Sequence, residues 1–117
     1  MLEIQKRQLE PEIVVLQLVG RITMGRPCQE LEAAVEDLIR QTVRKIVLDL
    51  SEIKRVDSTA LGIIVTCSRK LKTVGGELRV AGAKGMVDEI ARASNIPRIV
   101  GFYPSVEEAV AGFAVPS

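Results

Sequence analysis

The chain has 117 residues, 47% of them hydrophobic, which is enough apolar material for one compact domain with a single core. Its 16 basic and 15 acidic residues leave a net charge of +1, so no overall field attracts nucleic acid, anionic lipid or an acidic substrate. The absence of histidine excludes Ser-His and Cys-His nucleophile pairs and removes the commonest metal ligand. We expect a single domain over residues 1–117 that recognises partners through local surfaces, without a cofactor or a metal.

The cellular location is predicted from the cysteines and from the N-terminus. Cys28 and Cys67 form no CxxC pair, so we expect reduced, packed thiols rather than a disulfide. Residues 1–6 lack the basic and apolar segments of a secretion signal, and no apolar run reaches membrane-spanning length. Together these features predict a cytoplasmic protein that does not enter a membrane.

The first predicted elements are a hairpin and a helix. Residues 2–9 alternate loosely, residues 10–12 are typical of a turn, and residues 13–19 form a β-branched run that ends at Gly20. We expect these strands to pair in an antiparallel hairpin. Pro27 suits the first turn of a helix. The apolar residues that follow at helical spacing are Leu31, Ala34, Val35, Leu38 and Ile39.

The middle of the chain is predicted to contain a buried strand and a second helix. Residues 45–50 are mostly apolar and branched, as in a central strand that is buried on both faces. The helix is predicted from about residue 58 to residue 74, because Gly75 follows as a stop signal. Its apolar stripe comprises Ala60, Ile64, Cys67, Leu71 and Val74.

The last part of the chain repeats the alternation of strand and helix. Residues 78–81 and 99–103 are predicted strands, and residues 86–94 are a predicted helix. The apolar face of that helix comprises Met86, Val87, Ile90 and Ala93. Ser105 and Glu108 have the spacing of a capping box at the start of a terminal helix. Its apolar face comprises Val106, Ala109, Val110 and Phe113, and the tail after it, 114–117, is expected to fray.

The order β-β-α-β-α-β-α-β-α predicts an α/β fold with a mixed five-stranded sheet and about four helices. Short crossovers between successive strands should be right-handed and should make the later strands parallel. Ligands and partners of such sheets gather at the carboxyl ends of the strands, where the helices begin. The residues that follow strand 45–50 are therefore the first candidates for a functional site.

The sequence RVDSTALG, residues 55–62, has an acid and two hydroxyls directly before an apolar helix. Asp57 or Ser58 can cap the first amides of that helix, and capping is the commonest structural use of such residues. A second interpretation is that Ser58 is exposed so that another protein can phosphorylate it. A phosphate would add about −1.5 to −2 charge at a helix end that stabilises anions, so the fold would survive while a docked partner would be lost.

Three segments resemble the STAS domain of bacterial anti-sigma factor antagonists: VLDL at 47–50, VDSTALG at 56–62 and GGEL at 75–78. The residues GRIT at 20–23 are similar to the family's loop before its first helix. The order of elements agrees along essentially the whole chain, so the resemblance implies a single STAS-like domain. It further implies a protein that binds a cognate anti-sigma factor serine kinase when unmodified, and so frees a sigma factor for transcription.

The resemblance also implies roles for residues of this chain. Ser58 matches the phosphoacceptor, and Thr59 matches a second hydroxyl that is the reserve acceptor. Asp57 matches the acid that orders the loop, by capping the helix or by aligning the serine hydroxyl. The kinase would hold ATP and Mg²⁺, phosphorylation would break the complex, and a separate serine phosphatase would restore it. The implied partner-binding residues are Arg21, Thr23, Ala60, Leu61 and Gly62.

Several features of the resemblance leave alternatives open. Ala60 stands where the family commonly has glycine, so close approach by a kinase backbone is less easy here. Leu61 also fits the core of the domain. Some STAS relatives serve as unmodified scaffolds or binding modules of stress-signalling assemblies, and the sequence is compatible with that function. It is also compatible with a homodimer.

Rival functions have weaker support in the sequence. The segment GAKG at 82–85 has the GxxG form of a nucleic-acid-binding loop, but a strand-to-helix turn also needs glycines, and only 3% of residues are aromatic. Arg69, Lys70 and Lys72 suit the C-terminal end of a helix, with a docking patch for an acidic partner as the second interpretation. The sequence has no P-loop and no recognisable pair of carboxylates. We expect no catalytic residues and no binding of nucleic acid.

Overall fold

The structure is a computed structural model, and it describes residues 2–10 and 12–113. Pro11 of the predicted turn and the predicted fraying at 114–117 lie outside the described residues. The strands are β1 (Leu2–Glu10), β2 (Ile13–Ile22), β3 (Lys45–Val56), β4 (Glu77–Ala81) and β5 (Gly101–Tyr103). The helices are α1 (Arg26–Arg40), α2 (Ser58–Thr73), α3 (Gly85–Ala93) and α4 (Val106–Ala111), with a 3-10 turn at Ile96–Arg98.

The strands form one sheet in the order β1-β2-β3-β4-β5. β1 pairs with β2 in antiparallel fashion, whereas β2, β3, β4 and β5 run parallel to one another. The predicted α/β class, the hairpin and the mixed five-stranded sheet are thus confirmed. Because each parallel crossover passes through a helix, α1, α2 and α3 all begin at the carboxyl edge of the sheet.

The main core lies between one face of the sheet and helices α1, α2 and α3. Strand residues that alternate in sequence point into it: Val14, Leu16, Leu18, Ile46, Leu48 and Leu50. The predicted stripe of α2 is buried at Ala60, Ile64, Cys67 and Leu71. The prediction for Val74 was wrong, because the helix ends at Thr73 and Val74 is its exposed C-cap.

Helix α3 buries only the middle of the face predicted for it, where Ile90 is partly buried against the main core. Val87 and Ala91 are buried, whereas Met86 and Ala93 are exposed. The two exposed residues lie at the ends of this 9-residue helix, so the core covers only its middle. Met86 thereby lies at the carboxyl edge of the sheet, just after the start of the helix.

Helix α4 packs on the opposite face of the sheet. A second, smaller core forms there from Val15, Val47, Ala81, Ala109 and Phe113. The hydroxyl Oγ of Ser105 accepts the backbone N–H of Glu108 at 3.2 Å and caps the helix, as the spacing of the two residues predicts. The apolar face predicted for the terminal helix is therefore confirmed.

Strand β3 extends to Val56 instead of ending at residue 50. It remains paired with β2 through two shifts of register, and Ile53 and Val56 are buried along the extension. The charged residues between them are exposed, so this part of the strand has no continuous apolar run from which it could be predicted. The predicted end of this strand at residue 50 was therefore wrong. Asp57 follows the strand directly, so the sheet fixes its position.

Candidate functional site

Helix α2 begins at the carboxyl edge of the sheet with exposed hydroxyl side chains. Ser58 and Thr59 are its first residues, and both are exposed. Within the described part of the chain, neither hydroxyl hydrogen-bonds to another residue. The first turn of a helix has amides without intrahelical acceptors and carries the positive end of the helix dipole. An anionic group on Ser58 would therefore be stabilised there and would remain in solvent.

Asp57 is the N-cap of α2 and also holds the loop before α1. Its Oδ1 accepts the N–H of Ala60 at 2.9 Å, and its Oδ2 accepts the N–H of Met24 at 2.8 Å. The hydrogen bond from Ala60 has the largest effect on the pKa of Asp57, and it lowers the pKa below the usual 3.8. The bond from Met24 lowers it further, while burial opposes both. The carboxylate is therefore ionised at neutral pH, and each oxygen accepts a backbone amide.

Ala60 and Leu61, which we included among the partner-binding residues, are both buried. They are 0% and 4% exposed, respectively, and they belong to the main core. The side chain of Ala60 points away from solvent, so the departure from the family's glycine does not narrow the approach to Ser58. We leave both residues out of the contact surface for this reason.

Gly62 lies four residues after Ser58, on the same exposed side of α2. A Cβ at this position would meet no heavy atom within 4 Å, and the backbone is helical, with no positive φ. Glycine inside a helix costs roughly 0.5–1 kcal/mol relative to alanine. The fold itself thus gives no reason for glycine at this position. Its lack of a side chain leaves open space beside the Ser58 hydroxyl.

The segment between β2 and α1 carries the remaining predicted contacts. Arg21 is exposed near the end of β2, where it is paired in register with Arg55 of β3. Thr23 is half-buried. The next residue, Met24, is 74% exposed, and the sequence patterns did not single it out. The available signal was its place in a short loop at the carboxyl end of a parallel strand.

The lysine-rich end of α2 is partly an interhelical contact. Nζ of Lys70 donates to Oε2 of Glu32 at 2.9 Å and also donates to Glu36. The hydrogen bonds that Lys70 donates to Glu32 and Glu36 raise the pKa of Lys70, and the bond to Glu36 lowers the pKa of that carboxyl group. Arg69 and Lys72 are exposed. Of these three basic residues, Lys70 therefore holds α2 against α1.

Both cysteines are buried free thiols, as predicted. Burial raises the pKa of the Cys67 thiol to about 12. Burial also raises the pKa of Cys28, and the negative charge of Asp57 adds to the effect. Both thiols are therefore protonated at neutral pH and are poor nucleophiles.

The GAKG segment forms the turn between β4 and α3. Gly82 has a φ of 74°, and a Cβ there would lie 3.0 Å from Cβ of Ser51 and 3.2 Å from Oδ1 of Asp49. Because the turn needs this glycine for its own conformation, the GxxG spacing lends no support to nucleic-acid binding. Residues 2–10 and 12–113 contain no cluster of side chains that could hold a metal ion. No helix in these same ranges is long and apolar enough to cross a membrane.

Comparison with known families bears directly on this site. The profile of the STAS domain family matches residues 4–109, a range that begins within β1, ends within α4 and includes the segment 56–62. The chain belongs to the STAS domain family. The resemblance inferred from short sequence motifs is thereby confirmed.

Relatives of this STAS domain carry the name of anti-sigma factor antagonists. A protein of that name from Thermotoga neapolitana is 29% identical over 75 residues, which are 64% of this chain and 66% of the relative. The crystal structure of one from Thermotoga maritima has a TM-score of 0.85 at 23% identity, with 93% of this chain and 92% of that one covered. The Bacillus cell fate determinant SpoIIAA, solved in its phosphorylated form, has a TM-score of 0.73 at 19% identity, with 95% and 99% covered. At these identities the solved structures establish the STAS fold.

Proposed function

We propose that this STAS domain is an anti-sigma factor antagonist that binds a cognate anti-sigma factor serine kinase and is released when the kinase phosphorylates Ser58. The observation that carries the proposal is the exposed, unbonded hydroxyl of Ser58 at the start of α2, next to the Asp57 cap. Relatives named as anti-sigma factor antagonists and the phosphorylated form of SpoIIAA support it.

In the proposed reaction the kinase supplies ATP and Mg²⁺, and the STAS domain supplies the acceptor. Oγ of Ser58 attacks the γ-phosphorus of ATP, and the bond from that phosphorus to the β,γ-bridging oxygen breaks. ADP leaves, and the hydroxyl proton passes to a base of the kinase. A separate serine phosphatase reverses the modification by adding water to the phosphorus, which restores the hydroxyl and releases inorganic phosphate.

The position of Ser58 favours dissociation of the partner over unfolding of the domain. A helix N-terminus stabilises an anion by roughly 0.3–1 kcal/mol. By contrast, a charge that is buried without a partner in an interface costs several kcal/mol, on the order of 3–5. The cap of α2 uses the Asp57 carboxylate and not the Ser58 hydroxyl, so modification of Ser58 leaves it in place. The phosphate therefore acts on the interface.

The surface around Ser58 has room for a kinase. Gly62, four residues after Ser58, has no side chain on the exposed side of α2, so a polypeptide backbone can approach the hydroxyl closely. We propose Gly62, Arg21 and Thr23 as partner contacts around the phosphoacceptor, with Thr59 as the reserve acceptor. Asp57 supports the site by holding the first turn of α2.

The proposal is tested by phosphorylation with the cognate kinase. Incubation with kinase and ATP should add one phosphate, detected in the intact mass and mapped to Ser58 in a peptide digest. Ser58→Ala should take up none, whereas the matched control Thr59→Ala, which removes the adjacent exposed hydroxyl, should be phosphorylated like the wild type. Phosphate on Ser58→Ala would place the acceptor elsewhere. Tight binding without phosphorylation of the wild type would favour an unmodified STAS scaffold instead.

A further inference from the structure

Met24 combines an exposed apolar side chain with a backbone that is held in place. It is the most exposed large hydrophobic residue of the described chain, at 74%. Its N–H donates to Oδ2 of Asp57 at 2.8 Å, although the two residues are 33 positions apart. Gly25 follows with a φ of 99°, a conformation that side-chain-bearing residues rarely adopt, and it leads the chain into α1. The loop therefore presents the thioether to solvent from a defined position.

We propose that Met24 is an apolar contact for the anti-sigma factor kinase and that Asp57 positions it through the backbone of the loop. This inference rests on the proposed function and adds to it a contact that the sequence did not indicate. The matching surface on the kinase is an apolar depression next to the site where the kinase binds Ser58. An unbranched, polarizable side chain adapts to such a depression, and docking removes its exposed apolar surface from water.

Asp57 connects the two parts of the proposed contact surface. One oxygen holds the first turn of α2, which carries Ser58, and the other holds Met24. The distance between the phosphoacceptor and the apolar contact is therefore fixed by one carboxylate. Loss of the bond to Met24 alone would free the loop while α2 remained capped.

Asparagine at position 57 separates these two hydrogen bonds. Its Oδ1 can still accept the N–H of Ala60, since asparagine is as good an N-cap as aspartate. Its Nδ2 is a donor and cannot accept the N–H of Met24. Asp57→Asn is therefore expected to keep the helix start and to release the loop.

The experiment is an equilibrium binding titration of the cognate kinase, without ATP, against a set of variants. Met24→Gln should raise Kd about tenfold or more, whereas the apolar Met24→Leu should stay within about twofold of the wild type. Asp57→Asn should raise Kd by a similar factor. The double variant should bind no more than about twofold more weakly than the weaker single variant, because both changes remove the same contact. Ile99→Gln is the matched control. Ile99 is an apolar residue that is 45% exposed, and it precedes β5, so it lies at the amino ends of the strands, opposite to the edge that carries Met24.

Each outcome decides one part of the inference. A wild-type Kd for Met24→Gln would overturn the contact, and Kd factors that multiply in the double variant would overturn positioning by Asp57. The Met24 variants decide the contact alone if Asp57→Asn does not fold. If the wild type fails to bind the kinase, the proposed function is wrong and the inference falls with it. If the wild type binds and the Met24 variants bind equally well, only the inference is wrong.

Discussion

The two ends of α2 are each linked to the segment that contains α1, and the links differ in what they leave at the surface. At the N-terminal end, Asp57 accepts the N–H of Met24, and the hydroxyl of Ser58 stays exposed and unbonded. At the C-terminal end, Lys70 donates to two glutamates of α1. Charged side chains hold the helix at both ends, but among the described residues it is at the N-terminal link that an exposed hydroxyl without a hydrogen bond lies beside it.

The helix dipole makes the two ends unequal in chemistry as well. The N-terminal end of a helix stabilises anions, so a phosphate on Ser58 would have a favourable electrostatic interaction with the helix. The C-terminal end already has its complementary cation in Lys70, which is paired with α1. We therefore expect changes of the exposed hydroxyl at the N-terminal end to act mainly on binding, loss of the Asp57 cap to lower stability, and changes at the C-terminal end to act only weakly on stability.

The largest effect is expected for Ser58→Asp at the N-terminal end. The permanent negative charge should weaken kinase binding about 100-fold, equivalent to ~2.7 kcal/mol, because it would be buried in the interface without an opposite charge. The melting temperature should change by only a few degrees, since the helix start stabilises an anion. Calorimetric titration and a thermal melt of the same sample measure both quantities. A large fall in melting temperature would mean that Ser58 serves the fold rather than the interface.

Asp57→Ala should give the next largest effect, this time on stability. Loss of the cap and of the bond to Met24 should lower the free energy of unfolding by about 2 kcal/mol at pH 7. Because the pKa of Asp57 is lowered in the folded state, the ionised carboxylate stabilises the fold fully above its usual 3.8 and loses this effect as the pH falls through the folded pKa.

Urea denaturation of wild type and Asp57→Ala from pH 3 to pH 7 checks this prediction. The difference between them should be constant at the upper end and should shrink below about pH 4. Asp37→Ala is the control, because Asp37 lies on α1 with a side chain 59% exposed and should cost little. A difference that grows toward acid pH would contradict the expected stabilisation by the ionised carboxylate.

Gly62→Ala should have a smaller effect of the opposite sign. The added methyl group meets no atom of the domain and favours the helix, so the free energy of unfolding should rise by roughly 0.5–1 kcal/mol. The Gly62→Leu variant should also fold, but it should weaken kinase binding, because the leucine side chain fills the space beside Ser58. Leucine at this position with unchanged Kd would remove Gly62 from the contact surface.

The smallest effect is expected for Lys70→Gln at the C-terminal end. The ion pairs involve side chains that are 30–41% exposed, so solvent screens them and the loss should be under about 1 kcal/mol. Kinase binding should remain unchanged, because this pair lies away from Ser58 along the helix. An effect on binding as large as that of Ser58→Asp would erase the distinction between the two ends of α2.

Much of the fold could be predicted because its signals are local. The branched run of β2, the apolar stripe of α2 and the serine cap of α4 each depend on residues close together in the sequence. The extension of β3 could not be recognised, because its pairing with β2 depends on shifts of register between distant segments. The burial of the Arg79 guanidinium could not be predicted either, since the backbone carbonyl of Ala109 in α4 accepts its hydrogen bond and the ring of Phe113, just after α4, packs against it.

The candidate site was predictable in its centre and not at its border. Asp57 and Ser58 stand at a helix start that the local pattern shows. Whether Ala60 faces solvent or core depends on the rotation of α2 against the sheet, which no local pattern determines. The link from Asp57 to Met24 joins two crossover segments and becomes visible only when parallel strands bring their carboxyl ends together.

The most direct test of release by phosphorylation compares the kinase affinity of the unmodified protein with that of the same preparation carrying one phosphate on Ser58. We expect at least about 100-fold weaker binding for the phosphorylated form. We also expect its melting temperature to lie within a few degrees of that of the unmodified protein. Equal affinity of the two forms would contradict the proposed mechanism, as would loss of binding caused by unfolding of the phosphorylated domain.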